Sequence, residues 1–240
     1  NILYTFDIAL REKVVKKFCS IEFYKDIKLF YNLDNRLFQM VDFSKGNTSR
    51  ILAKFGLDHK SIIFELSEHN EITNIEYFKA LMEHYANEGY CIAIDDFGIG
   101  QSGYKMLYHT TPNIIKIDRF FLSNINSDPK KKVLARQMVQ LATLLGCRVI
   151  AEGVETQAEL FVCKDIGCHM VQGYLVERPA TDVRVLQRSY ELLKTISAMQ
   201  KREIGDQMII RKRLESFPTV DVRDSMEMLL DIFNDNQDLT

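Results

Sequence analysis

Ile92-Ala93-Ile94-Asp95-Asp96-Phe97-Gly98-Ile99-Gly100 is the stretch on which the reading of this chain turns. An apolar run of strand character ends in two adjacent carboxylates and then a turn punctuated by glycine. Two neighbouring carboxylates at the end of a buried strand are costly unless positive charge neutralises them. A pair of divalent metal ions would do so, and metal ions held by carboxylates point to phosphate chemistry.

The segments on either side repeat the pattern. Short, β-branched, apolar runs are predicted as strands at 27–32, 61–65, 91–95, 113–118 and 148–152, with a sixth starting at Met170. Helical periodicity is predicted between them, near 49–55 and over 74–87, 130–145 and 157–166, with Gly89, Gly146 and Gly167 as C-terminal stops. A first helix is expected from an Asp7 cap to about Phe23, with Ile8, Val14, Val15 and Phe18 inward. Near-continuous apolar strands separated by helices imply a buried parallel sheet. Six such strands, each ending in a polar residue, favour a (β/α) barrel over an open sheet, with the chemistry at the C-terminal strand ends.

Bulk properties narrow the class. The chain has 240 residues and a formal net charge of -2, with a pI near 6.3, so no bulk field draws it to nucleic-acid polymers or anionic membranes. No apolar run approaches the ~20 residues of a membrane span, and the N-terminus has no basic-then-apolar leader pattern. Five cysteines scattered through apolar segments are expected as reduced thiols of a cytoplasmic protein. Cys163, Cys168 and His169 do not have zinc-finger spacing.

Composition changes near Thr181. Val183, Leu186, Tyr190 and Leu193 are spaced as a helix seam. Pro218 would end that helical stretch, and a further helix is expected over 225–233. Residues 1–181 are therefore expected to form the barrel, and 182–240 a helical connector with the possible start of a second, CBS-like sensory module.

The polar residues at the strand ends are Asn32, Glu65, Asp95, Asp96, Lys116, Asp118, Glu152 and Gln172. This oxygen-rich set without histidine suits Mg²⁺, Mn²⁺ or Ca²⁺ rather than zinc or copper. Several carboxylates can hold two such ions about 3.5–4 Å apart, and Lys116 adds a fixed positive charge. Singly, each residue has an ordinary explanation: a helix cap, a turn, or a Lys116–Asp118 surface pair. Gly98-x-Gly100 alone is weak evidence of a phosphate cradle.

The ordered motifs resemble the EAL domain of bacterial cyclic-di-GMP phosphodiesterases over roughly residues 5–180. They are Tyr-Asn-Leu-Asp (Asn32), Phe-Glu-Leu-Ser-Glu (Glu65, Glu68), Ile-Asp-Asp-Phe-Gly-Ile-Gly (Asp95, Asp96), Ile-Lys-Ile-Asp (Lys116, Asp118), Ala-Glu-Gly-Val-Glu-Thr (Glu152, Glu155), and Gln-Gly-Tyr followed by Arg-Pro (Gln172, Pro179). The resemblance implies a modified (β/α)8 TIM-type barrel that hydrolyses cyclic-di-GMP to linear pGpG with two Mg²⁺ or Mn²⁺ ions. It implies Asn32, Glu65, Asp95, Asp96 and Glu152 as metal ligands, and Lys116, Asp96, Glu152 and Gln172 as the catalytic group. Gln172, Gly173 and Pro179 are implied on the substrate and Glu68 as the anchor of the loop after Asp96. A homodimer and neighbouring sensory or GGDEF modules are further expectations.

The chain departs from the family pattern in three places. The Glu-Ala-Leu tripeptide is absent, and the chain starts at the helix that follows it, so an N-terminally incomplete barrel is expected. Ile99 and Gln101-Ser102-Gly103 replace the usual loop residues, and Asp34 stands where a small hydroxyl is usual. These departures keep a second reading open: a cyclic-di-GMP receptor without turnover. A purely structural barrel is the third.

Overall fold

The structure is a computed structural model that describes residues 2–34, 46–68, 75–100, 102–110, 112–191 and 193–194. Its contacts divide the chain into two compact units, Asn1–Arg188 and Ser189–Thr240.

The first unit is a parallel sheet of six strands in the order of the chain. The strands are β1 (Leu29–Asn32), β2 (Ile62–Ser67), β3 (Cys91–Phe97), β4 (Ile114–Ile117), β5 (Arg148–Ala151) and β6 (Met170–Val171). Sequential order with every pair parallel is the arrangement of a barrel wall, and these strands form half of one. The helices are α1 (Ile2–Phe18), α2 (Asn47–Lys54), α3 (Ile75–Asn87), α4 (Gly103–His109), α5 (Arg119–Leu122), α6 (Pro129–Leu144) and α7 (Gln157–Asp165). The continuous apolar runs of β2, β4 and β5 are explained by burial on both faces of the sheet.

Helix termini follow local chemistry. Asp128 caps α6 through the N–H groups of Lys130 and Lys131, with Pro129 at the first helical position. Thr156 and Glu159 form a reciprocal capping box on α7. The expected first helix needs correction. It ends at Phe18, and Asp7 lies inside it, ion-paired with buried Arg11 and accepting a hydrogen bond from Tyr31 Oη at 2.8 Å. An apolar-periodicity reading misses this face, because Tyr4, Asp7 and Arg11 are buried beside Val15 and Phe18.

The seam expected from Val183 also differs. Val183–Val185 is a single 3-10 turn capped by Asp182, and the backbone is extended at Leu186. Residues through Arg188 stay with the first unit: Lys17 donates to the Thr181 carbonyl at 2.5 Å, and Arg188 pairs with Asp26. Of the rest of the seam, Leu193 N–H donates to the Tyr190 carbonyl at 3.1 Å within the second unit, while Gln101, Pro218 and the helix expected at 225–233 lie outside the described residues. No helix among the described residues is long and apolar enough to cross a membrane.

Candidate active site

The inner face of the sheet is built in layers. Ile63, Ala93, Ile114 and Ile150 pack together, flanked by Phe30, Cys91 and Met170. Side chains two residues apart on a strand share a face. The residues two positions beyond this apolar layer are Asn32, Glu65, Asp95, Lys116, Glu152 and Gln172. One face of one sheet thus carries an apolar floor and, above it, a polar tier at the C-terminal strand ends.

Lys116 is the centre of that tier and is 3% exposed. Its Nζ lies 2.5 Å from Glu65 Oε1, 2.7 Å from Glu152 Oε1 and 2.8 Å from Asp95 Oδ1. Burial alone would lower its pKa, but Glu152, Glu65 and Asp95 together outweigh this and hold it above the ordinary lysine range. One ammonium does not balance three buried carboxylates. Burial pushes the Glu65 carboxyl up despite Lys116, and pushes Glu152 up to about 7, with Asp95 adding to the rise.

Asp95 and Asp96 reach the site by a distortion. Adjacent residues of a regular strand face opposite ways. Here the β3–β4 register shifts between Ile94 and Phe97, and Asp96 has a φ of 56°. This bulge and left-handed residue turn both carboxylates to one side. Oxygens of Asp95, Asp96 and Glu152 can all lie within 4.8 Å of one another. Ser67 Oγ donates to Asp96 Oδ2 at 3.4 Å.

The turn after β3 is held by Glu68, which is 2% exposed. Its Oε2 accepts from Gly100 N at 2.7 Å and Gly98 N at 3.3 Å. The Gly-x-Gly amides therefore grip a carboxylate of the protein itself, not a phosphate. Gly103 makes room for it: a Cβ there would sit 1.4 Å from Glu68 Oε1. Gly103→Ala is expected to destabilise the fold by at least about 2 kcal/mol, because the clash is with a buried, hydrogen-bonded group. Denaturant unfolding measures this.

The remaining predicted residues are placed less tightly. Asn32 is exposed at the end of β1, in register with Glu65. Gln172 is exposed beside Glu152; its backbone N–H donates to Ala151 O at 2.8 Å and its carbonyl accepts from Val154 N at 3.0 Å. Gly173 packs on the Val154 backbone, where a Cβ would lie 2.1 Å from the Val154 carbonyl oxygen. Pro179 is exposed on the segment that follows. Asp118 is not in the cluster: its side chain caps α5 by accepting from Phe120 N at 2.7 Å. Sequence reading missed Ser67 and Glu159, the latter legible only as half of a capping box.

A family model, "EAL domain", matches residues 1–179. The chain belongs to the EAL domain family. Among curated relatives of this EAL chain, the cyclic di-GMP phosphodiesterase PdeF of Escherichia coli K12 is 33% identical over 131 residues, which is 55% of this chain and 18% of PdeF. The chain thus spans under a fifth of that relative's length. The cyclic-di-GMP-bound standalone EAL protein of Vibrio cholerae O395 superposes with a TM-score of 0.67 at 28% identity, covering 73% of each chain. BlrP1 of Klebsiella pneumoniae, in a manganese and cyclic-di-GMP complex, gives 0.66 at 29% identity, covering 74% of this chain and 45% of BlrP1.

The residues of this EAL domain fit a divalent metal. Asp95, Asp96 and Glu152 offer converging hard oxygens. Lys116 already occupies the position of a neutralising charge, and Glu65 and Glu152 still have raised pKa values. The site holds more buried negative charge than its own cation balances.

Proposed function

We propose that this domain hydrolyses one phosphodiester bond of cyclic-di-GMP, adding water to give linear pGpG. The converging Asp95, Asp96 and Glu152 carboxylates around a buried lysine carry this reading. Asn32, Glu65, Asp95, Asp96 and Glu152 would hold two Mg²⁺ or Mn²⁺ ions. Bound there, the ions would supply positive charge that neutralises the phosphodiester and makes water a better nucleophile.

The chain's own residues do the rest. Lys116, fixed by three carboxylates, presents an ammonium that orients the attacking water and offsets charge developing on phosphate. A carboxylate oxygen of Asp96 or Glu152 takes the proton that water loses as its oxygen bonds to phosphorus, and the ribose oxygen whose bond to phosphorus breaks leaves with a proton in its place. Gln172 and Gly173, beside Glu152, and Pro179 face the substrate. Glu68 fixes the turn that presents Asp96.

Neighbouring modules are part of the proposal. The relatives' much greater length supports adjacent sensory or GGDEF domains, and the homodimer is carried over from the family resemblance alone. The break between units at Arg188 and Ser189 supports a barrel followed by a second module, with the first unit running past the expected boundary at 181 to Arg188. Five free thiols support a cytoplasmic setting.

Asp95→Asn is expected to cut the hydrolysis rate by about two orders of magnitude or more, since it removes a central charge. Chromatographic assay of pGpG formation with Mn²⁺ checks this. Tight cyclic-di-GMP binding by the unaltered protein with no linear product would replace the hydrolase reading with the receptor one.

A further inference from the structure

Glu159 is 5% exposed and sits at the start of α7, outside the carboxylate cluster. One of its oxygens, Oε2, does the ordinary work of a capping box, accepting from Thr156 N at 3.0 Å and also from Glu155 N at 2.9 Å. Its other oxygen does something a helix cap does not require. Oε1 accepts from Asn124 N at 2.8 Å, a residue 35 positions earlier in the chain. Asn124 is held at a φ of 56°, a conformation that non-glycine residues rarely adopt.

The two segments joined in this way both lead out of the site. Asn124 follows α5, which itself follows β4, the strand that carries Lys116. Glu155 and Thr156 belong to the short loop between Glu152 and α7. That loop has little freedom at its other points. Glu152 N donates to Ile117 O at 3.1 Å. Gly153, at φ 66°, lies against Arg119, whose Cγ would be 2.5 Å from a Cβ there. The capping-box pattern at 156–159 would be satisfied without any partner near β4, so the bond to Asn124 is an extra one.

We propose that Glu159 is a positioning residue, a buried carboxylate that locks the loop after Glu152 to the segment after Lys116 and so fixes those two site residues against each other. Burial opposes the charge on Glu159, yet its bonds from Asn124, Glu155 and Thr156 hold the carboxyl below the usual range, so it stays ionised and able to accept at both oxygens. The proposal rests on the hydrolase reading above.

Glu159→Gln separates the two roles. Glutamine has one acceptor oxygen, enough for the capping box, and its amide nitrogen accepts nothing. In the whole chain, amide hydrogen exchange at Asn124 is expected to quicken at least about ten-fold, while α7 keeps its protection. Affinity for Mn²⁺, measured by calorimetry, is expected to weaken about ten-fold, and kcat for cyclic-di-GMP to fall about ten-fold with KM within about two-fold. Thr156→Ala is the control: it removes the other half of the capping box and leaves in place the bonds that Glu159 accepts from the backbone N–H groups of Asn124, Glu155 and Thr156. It should lower thermal stability yet leave Mn²⁺ affinity and kcat within about two-fold.

Unchanged exchange at Asn124 in Glu159→Gln overturns the proposal. So does faster exchange with Mn²⁺ affinity and kcat unchanged, or an equal loss of both in Thr156→Ala. Failure of the hydrolase reading is seen separately, in the unaltered protein. If that protein binds Mn²⁺ without turnover, hydrolysis is lost and the Mn²⁺ comparison still decides the role of Glu159. If it binds no Mn²⁺ and has no turnover, the positioning role falls with the site.

Discussion

Lys116→Met is expected to abolish measurable hydrolysis and to split the protein's stability according to whether metal is present. The ammonium touches Glu65, Asp95 and Glu152, all within 2.8 Å. Methionine retains much of the stem's packing and removes only the charge. Without metal, the variant leaves several buried carboxylates facing one another, and removing one partner of a buried ion pair costs about 3–5 kcal/mol. With Mn²⁺ bound, those carboxylates regain a cation, and most of that loss should disappear. The rate loss should persist, at about a thousand-fold or more, because a fixed charge and an oriented water are gone. Thermal unfolding of the variant with and without Mn²⁺, beside a pGpG assay, tests both halves. A variant whose stability loss is the same in both conditions would contradict the charge-balance account.

The second large effect is a dependence of metal-free stability on pH. Glu152 titrates near 7 in the folded protein and near the ordinary carboxylate value when unfolded. Between those values the folded state binds more protons than the unfolded state, so stability falls as pH rises. Glu65 is shifted in the same direction and adds to the fall. Lys116 works at the other end of the scale: its folded pKa is raised, so its contribution is intact through neutral pH and is lost only in strong alkali. The metal-free protein should therefore lose on the order of 3 kcal/mol between about pH 4.5 and pH 7. Mn²⁺ should restore it at pH 8, where the carboxylates are ionised, and do little at pH 5. Urea titrations at several pH values, with chelator or with Mn²⁺, measure the effect. A metal-free midpoint that rises across that window would reverse the sign argued here.

Much of the architecture was legible because the signals were local. The strands at 91–95 and 148–152 announced themselves as short apolar runs, and Gly89, Gly146 and Gly167 marked helix ends where a left-handed residue is needed. The capping box at Thr156 and Glu159 is also a local four-residue pattern, but the sequence reading passed over it. The errors fell where burial overrode apolar periodicity. Asp7 reads as a helix cap because short acidic residues favour caps, but Arg11 and Tyr31 give it a partner inside the helix. Val183 and Leu186 have helical spacing, but the turn at Val183–Val185 stops at an extended Leu186.

The sequence by itself determined that six strands of one kind would each end in a polar residue, and which residue types those would be. Period-two alternation fixes that Glu65 follows Ile63 onto the same face, as Lys116 follows Ile114 and Glu152 follows Ile150. Only the tertiary structure decided how the tier is used. Neighbouring strands brought Lys116 to the centre of three carboxylates instead of pairing it with Asp118, which caps a helix. The Asp95–Asp96 pair shows the physical reason most directly. Regular strand geometry would send the two side chains to opposite faces. The register shift against β4, the positive φ at Asp96 and the Glu68 carboxylate gripping the following turn put them on one side. Each of these depends on residues distant in the chain.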